Sequence, residues 1–198
     1  MIAPERARRK IRGNMIHKNI SKDGNAMKNY SFVPDIMFEK ALDITPDILI
    51  EKGIRAVVLD IDNTLVTYGV AEPTDEVIAW IDALKEAGLG VAIASNNHAP
   101  RVELFNRKLG VFATCESKKP SSRAVKAACE HFGIQPTETA VIGDPIFTDI
   151  WCARNAGSLA ILVKPIPYPE NLFFKCKRVL EKPFIRAYRK KHSDQNDR

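Results

Sequence analysis

The sequence predicts an α/β fold with a mainly parallel sheet and helices on both of its faces. Three observations predict it. Short apolar runs at 56–59, 89–94, 111–113, 140–142 and 159–163 are separated by helical patterns. Those patterns end at glycines, where helices close. Residues suited to chemistry follow the runs, and the carboxyl ends of parallel strands are where such sheets bind ligands. The runs are continuous rather than alternating, as expected of strands buried on both sides in a layered strand–helix–strand repeat.

The elements can be justified in order. Residues 1–26 show no sustained period and few large apolar residues. They predict a basic, disordered extension over 1–30, and Met15, Met27 and Met37 are alternative starts. Apolar residues thicken from Tyr30 through Phe38, and Asp43 to Ile54 reads as a short helix capped before Pro46 with a turn at Gly53. Val77, Ile78, Ile81 and Leu84 share one helical face, ended by Gly88. Val102, Phe105 and Leu109 share a second, ended by Gly110. Ala124, Val125, Ala128 and Phe132 make a third before Gly133, and Ile150, Trp151 and Ala153 a fourth before Gly157. The domain is expected to span 31–182, with 183–198 as a basic C-terminal tail.

Composition narrows the function classes. The chain has 198 residues, 27% of them charged and 45% hydrophobic, which suits one globular domain with a real core. No run of about 18 apolar residues exists, so no transmembrane helix is expected, and the N-terminus lacks the apolar core of a secretory signal. Cys115, Cys129, Cys152 and Cys176 form no C-x-x-C pair and read as buried thiols in a reducing compartment. The scattered histidines argue against a zinc site. The net charge of +6 belongs to the ends. Residues 1–30 carry eight basic and two acidic side chains, and residues 164–198 carry ten and four. The segment between them is acidic, so the basic balance concerns partners of the termini rather than of the domain.

The chemistry gathers at the strand ends. The first run ends in Asp60-Ile61-Asp62-Asn63-Thr64, and the second in Ser95-Asn96-Asn97. Lys118-Lys119-Pro120 precedes the third helix, and Gly143-Asp144 with Asp149 follows the fourth run. Carboxylates crowded at a sheet edge repel one another, and a divalent cation relieves that. Asp60, Asp62, Asp144 and Asp149 are hard oxygen donors suited to Mg²⁺, which in turn suits a phosphate. Lys119, preferred over Lys118 because Pro120 follows it, adds a fixed positive charge. Ser95 and the backbone N–H groups after it suit phosphate oxygens. Of two carboxylates at i and i+2, one can attack phosphorus while the other moves protons.

D-x-D-N-T-L at 60–65, Ser95-Asn96, Lys119-Pro120 and G-D-x-x-x-x-D at 143–149 resemble the four motifs of haloacid-dehalogenase (HAD) superfamily phosphohydrolases. "DIDNTLV", "SNN", "KKP" and "GDPIFTD" are similar, more narrowly, to the YqeG-like subfamily IIIA, whose eukaryotic relatives are mitochondrial phosphatidylglycerophosphate phosphatases. The resemblance implies a HAD-like Rossmannoid three-layer sandwich. It implies Asp60 as nucleophile and metal ligand, and Asp62 as general acid/base with its backbone carbonyl on the metal. Thr64, Ser95 and Asn96 would meet the substrate and Lys119 would stabilise the transition state. Asp144 would bind Mg²⁺ directly, and Asp149 would do so through water or orient Lys119.

The short gaps from Asp60 to Ser95 and from Ser95 to Lys119 leave no room for an inserted cap domain. An open site suits a phosphate carried on something large. Leu172, Phe173, Cys176, Val179 and Leu180 share one face of a basic C-terminal helix, with Lys175, Lys177, Arg178 and Lys182 elsewhere. Packing against the domain or contact with an anionic bilayer would use that face. The expectation is a phosphatase acting on phosphatidylglycerophosphate or a similar anionic phospholipid, cytoplasmic and peripheral at the inner membrane face. A soluble sugar phosphate, nucleotide or phosphoprotein is the alternative substrate. A non-catalytic RNA- or ribosome-binding scaffold is the alternative class, disfavoured by the intact acidic set.

Overall fold

The computed structural model describes residues 32–169 and 172–196. The basic segment expected over 1–30 lies outside the described residues. The elements are β1 (Ile36–Phe38), α1 (Pro46–Glu51), β2 (Ala56–Leu59), α2 (Asp75–Glu86), β3 (Gly90–Ala94), α3 (Ala99–Asn106), β4 (Phe112–Thr114), α4 (Arg123–Phe132), β5 (Thr139–Gly143), α5 (Trp151–Ala156), β6 (Leu159–Val163) and α6 (Leu172–Asn196). The strands form one sheet in the order β1-β6-β5-β2-β3-β4, and every pairing is parallel.

β2 explains the layering. All four of its residues are buried. Successive side chains of a strand point to opposite faces. Val57 and Leu59 enter one core with Ile81, Leu84 and Phe105 of α2 and α3. Ala56 and Val58 enter the other with Val125, Ala128 and Ala153 of α4 and α5. The result is three layers, helix–sheet–helix. Between Asp60 and Ser95 the chain holds α2 and β3, and between Ser95 and Lys119 α3 and β4, with no inserted domain.

Topology then sets the site. The chain leaves β2 for β3 and β4, and returns to β5 on the other side of β2. Leu59 is level with Ile93 on β3 and Ile142 on β5. The next residues therefore emerge together at the point where the strand order reverses, the usual ligand crevice of such sheets.

Three features depart from expectation. β1 is an edge strand of three residues, too short to show a period. It is tied down by Asp35, which accepts hydrogen bonds from Arg154 (2.9 and 2.8 Å) and from the Ala160 N–H (2.8 Å). The fourth helix starts early, as a π-helical turn over Ile146–Ile150 that leads into α5. Such wide turns recur at functional sites. Of the thiols, Cys129 and Cys152 are buried, but Cys115 and Cys176 are exposed. Cys115 lies beyond the end of β4, and Cys176 on the outer side of α6.

The segment expected as a tail from residue 183 continues α6 without a break, with Pro183 inside the helix. Phe184 meets Phe32 and Phe147 edge-on at 5.2 and 5.9 Å, and the Tyr188 hydroxyl accepts the Met37 N–H at 3.2 Å. Sequence patterning missed this because the inward residues Phe184, Ile185 and Tyr188 are diluted by lysine and arginine on the outer side. Removing residues 183–198 should destabilise the protein by on the order of 2–4 kcal/mol in urea unfolding, from lost aromatic burial and ring pairing. An unchanged midpoint would show that this segment is not docked.

Candidate active site

The Asp60 N–H donates to the Ile142 carbonyl at 3.0 Å and extends the β2–β5 ladder by one residue past the strand. This locks the first carboxylate at the strand tip. A tight turn follows, with Asn63 at φ +62 and its N–H donating to the Val66 carbonyl at 2.7 Å. The turn sends the two carboxylates to different neighbours. Asp60 Oδ1 lies 2.6 Å from Lys119 Nζ. Asp62 instead accepts hydrogen bonds from Arg101 Nη2 (3.0 Å) and from the Asn97 side-chain amide.

Lys119 is buried, its side chain 4% exposed, and its Nζ also lies 2.7 Å from Asp149 Oδ1. Lys118 is exposed, so Lys119 is the lysine that enters the site. Asn96 holds it there. Its Oδ1 accepts the Lys119 N–H at 2.8 Å and its Nδ2 donates to the Lys119 carbonyl at 3.3 Å. The structure thus places Asn96 on the lysine loop, with both ends of its amide engaged. Ser95 is buried, and its Oγ accepts the Asn97 N–H at 3.1 Å.

Asp144 is buried at the tip of β5. Thr64 Oγ1 donates to its Oδ1 at 3.1 Å, and the Arg178 guanidinium pairs with its Oδ2. Asp149 is fully buried, and its Oδ2 has no hydrogen-bond partner among the described residues. Gly143 makes the room: a Cβ there would sit 2.3 Å from Asp149 Oδ2. Asp60, Asp144 and Asp149 each offer a carboxylate oxygen, all within 4.8 Å of one another. Hard oxygens at this spacing, one of them orphaned in the interior, fit a small divalent cation. The Asp62 carboxylate is not part of this cluster and is engaged by Arg101 and Asn97.

The haloacid dehalogenase-like hydrolase family matches residues 66–157. The chain is 31% identical over 160 residues to the probable phosphatase YqeG of Bacillus subtilis, an overlap that spans 81% of this chain and 93% of that protein. The chain belongs to the haloacid dehalogenase-like hydrolases, as a YqeG-like member. It is also 26% identical over 166 residues to phosphatidylglycerophosphate phosphatase 1, chloroplastic/mitochondrial, of Arabidopsis thaliana. That overlap spans 78% of this chain and 47% of the plant protein. Among solved structures, a hypothetical protein from Xanthomonas campestris aligns over 63% of this chain and 76% of its own, with 20% identity and a TM-score of 0.48.

Burial and charge set the protonation of this hydrolase's site. Burial pushes the Lys119 ammonium down, but the adjacent Asp149 and Asp60 outweigh it and hold the group protonated, above its ordinary range. Burial pushes the Asp149 carboxyl up, against the pull of Lys119. Burial also raises Asp62, against the pull of Arg101, which favours a proton there. Asp144 is pushed up to about 6 by burial, with Arg178 opposing.

Arg101, Arg178 and Glu181 escaped the sequence reading as members of the site, while Asn97 stands there in the Ser95-Asn96-Asn97 strand end without a role of its own. Asn97 had a signal in its place directly after Ser95-Asn96. The others lie on helices where nothing in the pattern separates them from surface charge.

Beside Thr64 opens a cavity of about 510 Å³. Leu42, Leu65, Val66, Val70, Ile166 and Pro167 wall it, with Lys40 and Lys164 also on its lining. The Ile166 N–H donates to the Asn63 carbonyl at 2.8 Å, so one wall is tied to the turn that carries the carboxylates.

The raised Asp144 has a consequence for stability. A carboxyl with a folded-state pKa near 6 and an unfolded one near 3.8 binds more protons when folded between those values. Metal-free stability therefore falls as pH rises across that window, by up to about 3 kcal/mol for this group. Asp144→Asn should raise the thermal midpoint of the metal-free protein at pH 7.5 and flatten its dependence on pH between 4 and 6. A lower midpoint for the variant at pH 7.5 would contradict the assignment.

Proposed function

We propose that this phosphatase is Mg²⁺-dependent and removes the phosphomonoester of an anionic phospholipid, with phosphatidylglycerophosphate as the leading candidate. The observation that carries the chemistry is the division of labour at the tip of β2. Asp60 lies against Lys119 in the acidic cluster, while Asp62, two residues on, is held apart by Arg101 and Asn97.

In this reading the Asp60 carboxylate attacks phosphorus. The Asp60–phosphorus bond forms as the ester P–O bond breaks. Asp62, where burial favours a proton against the pull of Arg101, gives that proton to the departing oxygen. Water then attacks the aspartyl-phosphate, its proton passes to Asp62, and the Asp60–phosphorus bond breaks to release phosphate. Lys119, Thr64 and Ser95 would meet the phosphoryl oxygens, and Asn96 keeps the Lys119 loop in place. Asp60, Asp144, Asp149 and the Asp62 backbone carbonyl would hold Mg²⁺, which when bound neutralises phosphate charge.

Three features support a lipid substrate. No inserted domain stands between the motifs to close over a small metabolite. The apolar cavity beside Thr64 suits the carbon-rich part of a phospholipid near its phosphate. The outer face of α6 exposes Leu172, Val179 and Leu180 beside Lys175, Lys182 and Arg186, a composition suited to an anionic bilayer surface. None of the described helices is long and apolar enough to cross a membrane, so contact would be peripheral. The name of the Arabidopsis relative points to the same substrate.

Two measurements test this. Hydrolysis of phosphatidylglycerophosphate in detergent micelles should require Mg²⁺ and exceed, in kcat/KM, hydrolysis of sugar phosphates, nucleotides and phosphopeptides. A higher value on a soluble ester would refute the lipid reading. Asp60→Asn should reduce turnover to background with a thermal midpoint within a few degrees of wild type. A variant that turns over at the wild-type rate would refute the nucleophile.

A further inference from the structure

The inner face of α6 reaches the acidic cluster. Arg178 Nη2 pairs with Asp144 Oδ2, and Nη1 donates to the Asp144 backbone carbonyl at 3.2 Å. Arg178 Nη1 also donates to Glu181 Oε2 at 3.1 Å. Glu181 is 2% exposed, and its Oε1 accepts the Ile146 N–H at 2.9 Å. Arg178 and Glu181 lie one helical turn apart, on the side of α6 opposite Val179 and Leu180. Between them they grip the chain at Asp144 and at Ile146, the two residues that flank Pro145. This is where β5 passes into the π-helical turn that carries Asp149.

We propose that Arg178 and Glu181 are positioning residues, which hold the Asp144–Ile146 segment so that Asp144 presents its carboxylate to the cation site it shares with Asp60 and Asp149. The two contacts of Arg178 to Asp144 need a planar, forked donor. A guanidinium can engage the carboxylate and the backbone carbonyl together, which an ammonium cannot do with the same geometry. Glu181 anchors the fork by its other carboxylate oxygen and satisfies a buried backbone N–H with the first. Partners that orient a metal ligand in this way affect metal affinity by about 10–100-fold. α6 is thereby part of the active site as well as an outer surface.

Charge and positioning predict opposite signs, which makes the inference testable. If Arg178 acted only through its charge, its removal would strengthen cation binding. If it orients Asp144, its removal weakens cation binding. The measurement is the dissociation constant of Mg²⁺ for the full chain by titration calorimetry, alongside the thermal midpoint and the KM and kcat for p-nitrophenyl phosphate.

Arg178→Gln should weaken Mg²⁺ about 10–100-fold. At saturating Mg²⁺ its KM should stay near that of wild type, since the Arg178 guanidinium is directed at Asp144 and Glu181. Arg178→Lys should fall between wild type and Arg178→Gln, and it carries the test if Arg178→Gln does not fold. Lys190→Gln, at an exposed position of the same helix, should leave the constant unchanged. Unchanged or tighter Mg²⁺ binding in both Arg178 variants overturns the proposal. The inference rests on the metal-dependent reading above, so a wild-type chain that binds no Mg²⁺ overturns both. A wild type that binds Mg²⁺ with Arg178 variants that bind it equally well overturns this inference alone.

Discussion

Lys119 is the interaction on which the rest depends. Asp60, Asp144 and Asp149 share one corner of the sheet, and two of the three are nearly or wholly buried. Like charges that close destabilise a fold unless a counter-charge sits among them. The Lys119 ammonium lies within 2.7 Å of both Asp60 and Asp149, and it is itself buried. A lone ammonium at that depth would shed its proton, but the paired carboxylates keep it charged. Each partner makes the others tolerable. Losing Lys119 from this buried set would cost about 3–5 kcal/mol, because the carboxylates around it would be left uncompensated.

The fold arranges everything else so that this group can form. Parallel pairing puts the strand tips on one edge, and the reversal of strand order at β2 brings the tips of β2 and β5 side by side. Asn96 secures the lysine loop through both ends of its amide, and Gly143 leaves the space that Asp149 occupies. Even so, the charges of this group do not all cancel. Asp144 is raised by burial and Asp149 keeps one oxygen orphaned, so the bare protein holds an excess of poorly solvated carboxylate in its interior. That excess is a stability cost typical of functional sites, and it is also what gives a cation a reason to bind.

α6 shows how one helix can serve two environments. Arg178, Glu181, Phe184 and Tyr188 face the body of the protein, while Leu172, Val179 and Leu180 face outward among lysines and arginines. Arg178 and Val179 are adjacent in the chain yet differ in role, since each residue turns the helix by roughly a quarter of a circle. The bilayer contact and the hold on Asp144 that we propose for this helix therefore need no shared residue.

Much of this was legible in the sequence. Continuous apolar runs, glycine stops and carboxylates just past the runs are local features, and burial on both faces of a parallel sheet writes them directly into the chain. Asp60, Lys119, Asp144 and Asp149 could be named because each stands beside the end of a strand. The sequence by itself thus determined the layered fold and the residues that converge. Only the tertiary structure decided what each one touches. Asn96 turned out to hold the lysine loop, Asp62 to face Arg101 on α3, and Arg178 to reach Asp144 from 34 positions away. Residue type and periodicity set which face of an element is apolar. They do not set where a long charged side chain on the other face points, because that direction is chosen by packing between elements distant in the chain.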